Sequence, residues 1–263
     1  MCQNATYEWG RGMAGHSKWA NTKYRKERQD KKRSAIFAKL IKEITLQARN
    51  GDPNPDHNPG LAQALDRAKA ANVPKDNIER AIKRATGEID GVSYEEITYE
   101  GYATDGVAVL VRTVTDNRNR AAASVRHIFS KYGGSMAAVG SVSWLFDRKG
   151  VVVIEDLPDS VDRDALEMAL IEAGAEDLSD EGDLIEVYCD PTDLPSLAQA
   201  VRSFDLTPIR AEATMLPKNT IHVEEDSAMK VLRLVNALDD NEDVQEVYAN
   251  FDIDDAVLGK MEA

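Results

Sequence analysis

The stretch Ile97-Thr98-Tyr99-Glu100-Gly101-Tyr102-Ala103-Thr104-Asp105-Gly106-Val107-Ala108-Val109-Leu110-Val111-Arg112-Thr113-Val114 decides the fold class. It reads as two strands, Ile97 to Tyr102 and Val107 to Val114, around the turn Ala103 to Gly106. From about residue 94 onward the apolar period is 2. Upstream the period is helical. Phe37, Leu40, Ile41, Ile44 and Ala48 form one stripe, with Ser34 as a candidate N-cap and Lys39, Lys42 and Arg49 off the stripe. Lys18 to Gln29 reads as a first helix, polar and basic; Gly51 and Pro53 end the second, and Pro59 opens a third carrying Leu61, Leu65 and Ala68. A fourth places Ile78, Ala81, Ile82 and Ala85 on one face.

Downstream, strands alternate with single helices. Asn117 to Tyr132 reads as a helix, Val142 to Phe146 and Val151 to Ile154 as strands around an Asp147–Gly150 turn, and Asp162 to Ala173 as a helix. Leu184 to Tyr188 follows as a strand, Leu194 to Phe204 as a helix and Pro208 to Leu216 as extended chain. A helix from Asp226 to Leu238 and a strand from Val244 to Phe251 close the pattern. The expectation is a multidomain chain: an N-terminal all-α helical domain followed by two α+β domains of the split βαβ, ferredoxin-like kind. The expected boundaries are a disordered extension over 1–12, ahead of a natural start at Met13, and a basic helical domain over 13–90. Residues 94–140 plus 211–252 are expected to form one α+β domain and 141–210 a second inserted into it, with sequential domains as the simpler alternative.

Composition excludes several classes. The chain has 263 residues and is 43% hydrophobic and 30% charged, ordinary for globular protein. No stretch approaches the roughly 18 apolar residues of a membrane helix, and the first residues hold no apolar segment of a signal peptide. Cys2 and Cys189 cannot build a disulfide framework, and Cys189 reads as a buried structural thiol. His16, His57, His127 and His222 are scattered without ligand spacing, so no metal site is expected. No nucleophile motif, phosphate loop or dinucleotide fingerprint is present. No catalytic residue, cofactor or small-molecule substrate is therefore expected.

Charge carries the functional signal. The net charge is −14, yet residues 1–90 carry +7 and residues 91–263 carry −21. Within 13–50 there are 11 basic and 3 acidic side chains. Such asymmetry points to a polyanion-binding module on an acidic body. Gly15-His16-Ser17-Lys18-Trp19-Ala20-Asn21-Thr22-Lys23-Tyr24-Arg25-Lys26 interleaves cations with aromatics, and Arg28, Lys31, Lys32 and Arg33 extend it. Phosphates require Lys and Arg, unstacked bases require flat π-faces, and base edges require short polar side chains. His16, Lys18, Trp19, Lys23, Tyr24, Arg25, Lys26, Arg28, Lys31, Lys32, Arg33 and Lys39 are the candidate contacts. For Trp19 a core anchor is an equal alternative. Asp116-Asn117-Arg118-Asn119-Arg120 is a second cluster, in which Arg118 and Arg120 at a helix start could hold an anion, or Asn117 simply cap the helix. The small-residue loop Gly133 to Ser143 permits close approach of a partner or a tight turn.

Met13-Ala14-Gly15-His16-Ser17-Lys18-Trp19-Ala20-Asn21 resembles the start of the YebC/PmpR family. So do Ala70-Ala71-Asn72-Val73-Pro74-Lys75-Asp76-Asn77-Ile78, Tyr99-Glu100-Gly101-Tyr102, Thr115-Asp116-Asn117-Arg118-Asn119-Arg120 and Gly140-Ser141-Val142-Ser143-Trp144. The resemblance runs from Met13 to about Phe251. It departs at Thr22, where the family usually has Ile, and at Tyr24, where it often has His. It implies three domains, a cytoplasmic protein or, in eukaryotes, an organellar one, and no known catalysis. It further implies a DNA-binding transcriptional regulator, or alternatively a ribosome-associated translation factor that binds ribosomal or transfer RNA and relieves stalling at proline-rich stretches. A scaffold whose acidic domains bind a basic protein is the alternative of another class.

Overall fold

The computed structural model describes residues 19–21, 33–180, 182 and 184–254. The chain divides into two compact units, one from residues 19–145 and 219–254, the other from 146–218.

Among the described residues of the first unit, residues 19–21 are helical, and three longer helices follow. α1 spans Arg33–Asn50, α2 Pro59–Ala70 and α3 Lys75–Ala85. Ile44 and Ala48 of α1 are buried with Leu61, Ala64, Leu65 and Ala68 of α2 and Ala81 of α3, and Phe37, Leu40 and Ile41 pack against them. This is the stripe that helical periodicity selects. α1 already includes Ser34, so the residue sits in its first turn and does not cap it. Asn58 does cap. Its Oδ1 accepts from the Leu61 N–H at 3.0 Å, while its Nδ2 donates to the carbonyls of Gln47 and Asp52. One side chain thereby starts α2 and ties down the proline-rich loop before it.

The strands follow. β1 (Glu95–Tyr102) and β2 (Ala108–Thr115) form an antiparallel hairpin, with Tyr102 opposite Ala108. α4 (Arg118–Lys131) then crosses to β3 (Ser135–Met136), which pairs with the far edge of β1. Beyond residue 218 come β8 (Ile221–His222), α7 (Glu225–Asp239), β9 (Val244–Ala249) and β10 (Phe251–Asp252). The sheet order is β3-β1-β2-β9, and β8 pairs with β10 in a separate parallel ribbon. Val109 and Val111 of β2 bury one face against Val125 and Phe129 of α4 and Val231, Leu234 and Val235 of α7. The opposite face of β2 turns Arg112 toward Glu43 of α1. β2 is thus covered on both faces, which explains its nearly unbroken apolar run.

Gly101 of β1 has a steric duty. A Cβ there would lie 2.6 Å from the Ser135 carbonyl oxygen and 2.7 Å from the Phe129 ring. Gly101→Ala is expected to cost about 1–3 kcal/mol, because a backbone atom cannot turn aside as a side chain can. Thermal denaturation reads this as a lowered midpoint, and an unchanged midpoint would mean that β3 moves off β1 freely.

The second unit runs β4 (Phe146–Glu155), α5 (Arg163–Glu172), β5 (Ala175–Asp180), β6 (Leu184–Cys189), α6 (Leu194–Ser203) and β7 (Arg210–Pro217). Its sheet order is β5-β6-β4-β7, antiparallel at every neighbour. Val152, Ile154, Leu166, Leu170, Val187, Leu197 and Val201 form its core. Cys189 is fully buried there, and burial pushes its thiol up to about 11. That is the behaviour of an inert packing residue.

Two expectations are corrected. The Asp147–Gly150 segment is no turn: it lies within β4, whose ten residues pair with β7 from Phe146 to Val153. The strand over 210–217 belongs to the sheet of the second unit, so that unit spans 146–218 and not 141–210. Both follow from pairing between segments about 65 residues apart, which local pattern does not encode.

Candidate nucleic-acid interface

Of the candidate contacts, His16, Lys18, Lys23, Tyr24, Arg25, Lys26, Arg28, Lys31 and Lys32 lie outside the described residues, as does the side chain of Arg33, which opens α1. Trp19, Lys39, Arg118 and Arg120 are described. Trp19 packs against the core shared by the sheet, α4 and α7, and its indole N–H donates to Asn236 Oδ1 at 3.2 Å. Of its two readings, the core anchor fits this placement.

Lys39 and Arg120 are drawn together by acidic chain from a distant part of the sequence. Asp239 ends α7, and the loop after it carries Asp240, Glu242 and Asp243. Lys39 Nζ donates to the Asp239 carbonyl at 2.5 Å, with the Asp239 carboxylate 3.9 Å away. Lys42, one turn further along α1, donates to the Glu242 carbonyl at 2.8 Å and to Asp243 Oδ1 at 2.9 Å. Arg120 donates to both oxygens of Asp243 at 3.0 Å and to Asp116 at 2.8 Å, and these bonds raise its already high pKa. Asp243 is buried beneath the two cations. An incoming phosphate competes at Arg120 with the carboxylates of Asp243 and Asp116, and at Lys39 with the Asp239 carbonyl. Asn117 caps α4, accepting from the Arg120 N–H at 3.0 Å. Arg118 and Arg126 of α4, and Arg80, Lys83 and Arg84 of α3, are exposed. Sequence does not distinguish the three on α3, because one charge run on an amphipathic helix usually means only a solvated face.

A second ionic cluster fastens the helices to the sheet. Arg112 Nη2 donates to both oxygens of Glu43 at 2.9 and 3.0 Å and to Glu96 at 2.8 Å, and Nη1 reaches Glu246 at 3.5 Å. Arg67 of α2 meets the other oxygen of Glu246 at 3.4 Å. Burial alone would raise the Glu43 carboxyl, but the Arg112 guanidinium overrides it and holds the group below its ordinary value.

A third feature lies at the end of β1. Glu100 is only 4% exposed. Its Oε1 accepts from the Gly140 N–H at 2.7 Å, and its Oε2 from the N–H groups of Val142 and Ser143 at 2.6 and 3.0 Å. Burial raises this carboxyl, and the three backbone bonds together with the Ser143 hydroxyl lower it by more. The loop Ala137–Leu145 is thereby wrapped around an internal anion.

Among the described residues, no group of three or more His, Cys, Asp or Glu could hold a metal ion. No described helix is long and apolar enough to cross a membrane.

These features define a small helical domain locked by ion pairs onto an antiparallel α+β scaffold. Residues 17–88 match the model of the TACO1/YebC protein N-terminal domain, and residues 94–251 match that of the TACO1/YebC second and third domain. The chain belongs to the TACO1/YebC family. It is 51% identical over 251 residues to a protein of Acidithiobacillus ferrooxidans named "Probable transcriptional regulatory protein", covering 95% of this chain and 99% of that one. A Thermotoga maritima protein of the same name is 52% identical over 244 residues, covering 92% and 95%. Among solved structures, a conserved hypothetical protein of Aquifex aeolicus superposes with a TM-score of 0.77 at 43% identity, covering 86% of this chain and 93% of that one.

Proposed function

We propose that the chain is a non-enzymatic regulator of gene expression that binds nucleic acid, with DNA-binding control of transcription as its specific level and the cytoplasm as its place of action. The observation that carries this reading is the excess of 11 basic over 3 acidic side chains in residues 13–50 of a chain whose net charge is −14. The names of the bacterial relatives support transcription as the level. The acidic remainder opposes indiscriminate adhesion to polyanions, leaving the N-terminal segment as the contacting element. In this reading Lys23, Arg25 and Lys26 hold phosphates. The second unit is a ferredoxin-like domain nested within the first α+β domain, a reading supported by its strand order β5-β6-β4-β7.

The experiment is a salt titration of duplex DNA binding. Each phosphate contact contributes about −0.9 to the slope of log K against log salt on duplex, and about −0.7 on single strands. Replacing Lys23, Arg25 and Lys26 together by Ala is expected to weaken binding and to flatten the duplex slope by up to about 2.7. A slope that stays at its parental value places the phosphates elsewhere and rejects this assignment. Loss of partner binding on deletion of residues 13–90 separates this reading from an acidic scaffold, which would keep its partner.

A further inference from the structure

The helices of the second unit cover one face of its sheet. α5 and α6 pack on the side that carries Val152, Ile154 and Val187. The strand register puts Val151 and Val153 of β4, Glu186 and Tyr188 of β6, and Arg210 and Glu212 of β7 together on the other. Among the described residues, the apolar side chains packed with Val151 and Val153 are Leu184 and Tyr188 of the sheet itself and Ile209 just before β7. An antiparallel sheet with one face on helices commonly leaves the other to water. This second face is dry: Val153 is 0% exposed and Glu186 1%. The Tyr188 hydroxyl donates to Glu186, and Arg210 Nε donates to Glu212 at 2.7 Å. Glu155, Glu186, Tyr188, Arg210 and Glu212 take part in further polar or ring contacts besides these. The face is therefore engaged, although no helix of the second unit lies on it.

We infer that residues 1–18 of the same chain dock on this face. It calls for an occupant with apolar side chains for its centre and cations for its carboxylates. Val151, Val153 and Leu184 make the centre, with Glu155, Glu186 and Glu212 directly opposite them in the register. A carboxylate as buried as Glu186 has to be paired or hydrogen-bonded. Residues 1–18 supply both parts: Tyr7, Trp9 and Met13 for the centre, and Arg11, His16 and Lys18 for the carboxylates, against the single acid Glu8. The two other long stretches outside the described residues do not. Residues 22–32 carry six cations and no aliphatic side chain, and residues 255–263 carry one cation against two carboxylates. Length is no obstacle, since 18 residues reach up to about 60 Å when extended. The inference does not depend on nucleic acid. It makes the acidic second unit a receptor for the chain's own N-terminal residues.

The test is site-specific photo-crosslinking of the full chain. The photoreactive residue p-benzoylphenylalanine replaces Tyr7, Trp9 and Met13 in turn, each in a mixture of isotopically light and heavy protein. Irradiation is expected to join these positions to peptides holding residues 149–155, 184–188 or 209–214, with both halves of each product carrying the same label. Products that pair light with heavy overturn the proposal, because the occupant is then a second copy. Products confined to other parts of the chain, or no product, overturn it as well. Trypsin gives a second readout. Cleavage after Arg11 requires the segment to leave the face, so its rate follows the undocked fraction. Glu186→Gln combined with Glu212→Gln is expected to speed this cut about 10-fold, because two charged acceptors are lost. Cuts after the exposed Arg80 and Lys83 of α3 are expected to keep the parental rate. An unchanged rate after Arg11 overturns the proposal. The crosslinks need neither glutamate substitution, so they decide it even if the double variant unfolds.

Discussion

Arg112→Ala is expected to lower the unfolding free energy of the first unit by about 3–5 kcal/mol. Arg112 is one guanidinium among three carboxylates, those of Glu43, Glu96 and Glu246. Glu96 and Glu246 are partly exposed and can recover water. Glu43 cannot: its side chain is 5% exposed, and Arg112 supplies two of its hydrogen bonds. Removing the cation leaves a carboxylate in low dielectric with Gln47 and the more distant Arg67 as its remaining support. The cost is thus mostly that of an unpaired buried charge and not the net worth of the pair. Denaturation in urea measures it. A cycle with Glu43→Gln separates the two contributions. Arg112→Met combined with Glu43→Gln is expected to be less destabilised than Arg112→Met alone, because no buried charge remains. A loss below about 1 kcal/mol for Arg112→Ala would mean that Glu43 is hydrated or protonates readily. The pH dependence has a definite sign. The folded Glu43 carboxyl lies below its ordinary value of 4.5, so its contribution is complete above that pH and is lost as pH falls through the lowered value.

Where a side chain's partner lies within one element, the sequence was readable. The α1 stripe from Phe37 to Ala48 and the β1–β2 hairpin follow from periods of 3.6 and 2, and both strands are found around the turn whose Asp105 and Gly106 take positive φ. β5 had no such signal. Ala-Glu-Asp-Leu-Ser-Asp is an acidic edge strand, half of its residues exposed, that pairs with β6 on one side. An acidic edge resists further pairing and hides the strand from propensity at the same time. The surroundings of the candidate cations were equally hidden. Lys39 meets Asp239 across 200 residues of sequence, and Arg120 meets Asp243 across 123. In sequence both look like free cations, because charge patterning sees neighbours within a turn or two. Glu100 is the strongest instance. A single carboxylate in an alternating strand reads as solvent-facing, and only the folded loop reveals it as the anchor for residues 140–143.

Glu100→Ala is expected to cost about 3 kcal/mol, with the damage concentrated in the 137–145 loop. Three N–H groups lose a charged acceptor together. Those of Gly140 and Ser143 can turn to water, whereas Val142 is fully buried and its N–H keeps no partner there. Glu100→Gln discriminates the electrostatic from the steric part. A carboxamide oxygen can keep the bonds from Val142 and Ser143, while its NH2 then faces the Gly140 N–H, a donor against a donor. That clash lies at the exposed end of the loop, so the Gln variant is expected to lose about 1 kcal/mol, less than Ala. Acid should erase the difference between parent and Ala variant. Glu100 lies below its ordinary value of 4.5 in the folded chain, so the unfolded chain binds the proton first as pH falls. The parent therefore surrenders this stabilisation below that pH, and the Ala variant has none to surrender. Urea denaturation at neutral pH and again in acid reads the convergence. Two curves that stay equally far apart at both pH values would mean that the loop is held by packing around Val142 and not by charge. The same substitution frees the chain that fixes Trp144, so its emission should move toward that of a mobile, fully hydrated indole even though the tryptophan itself is untouched.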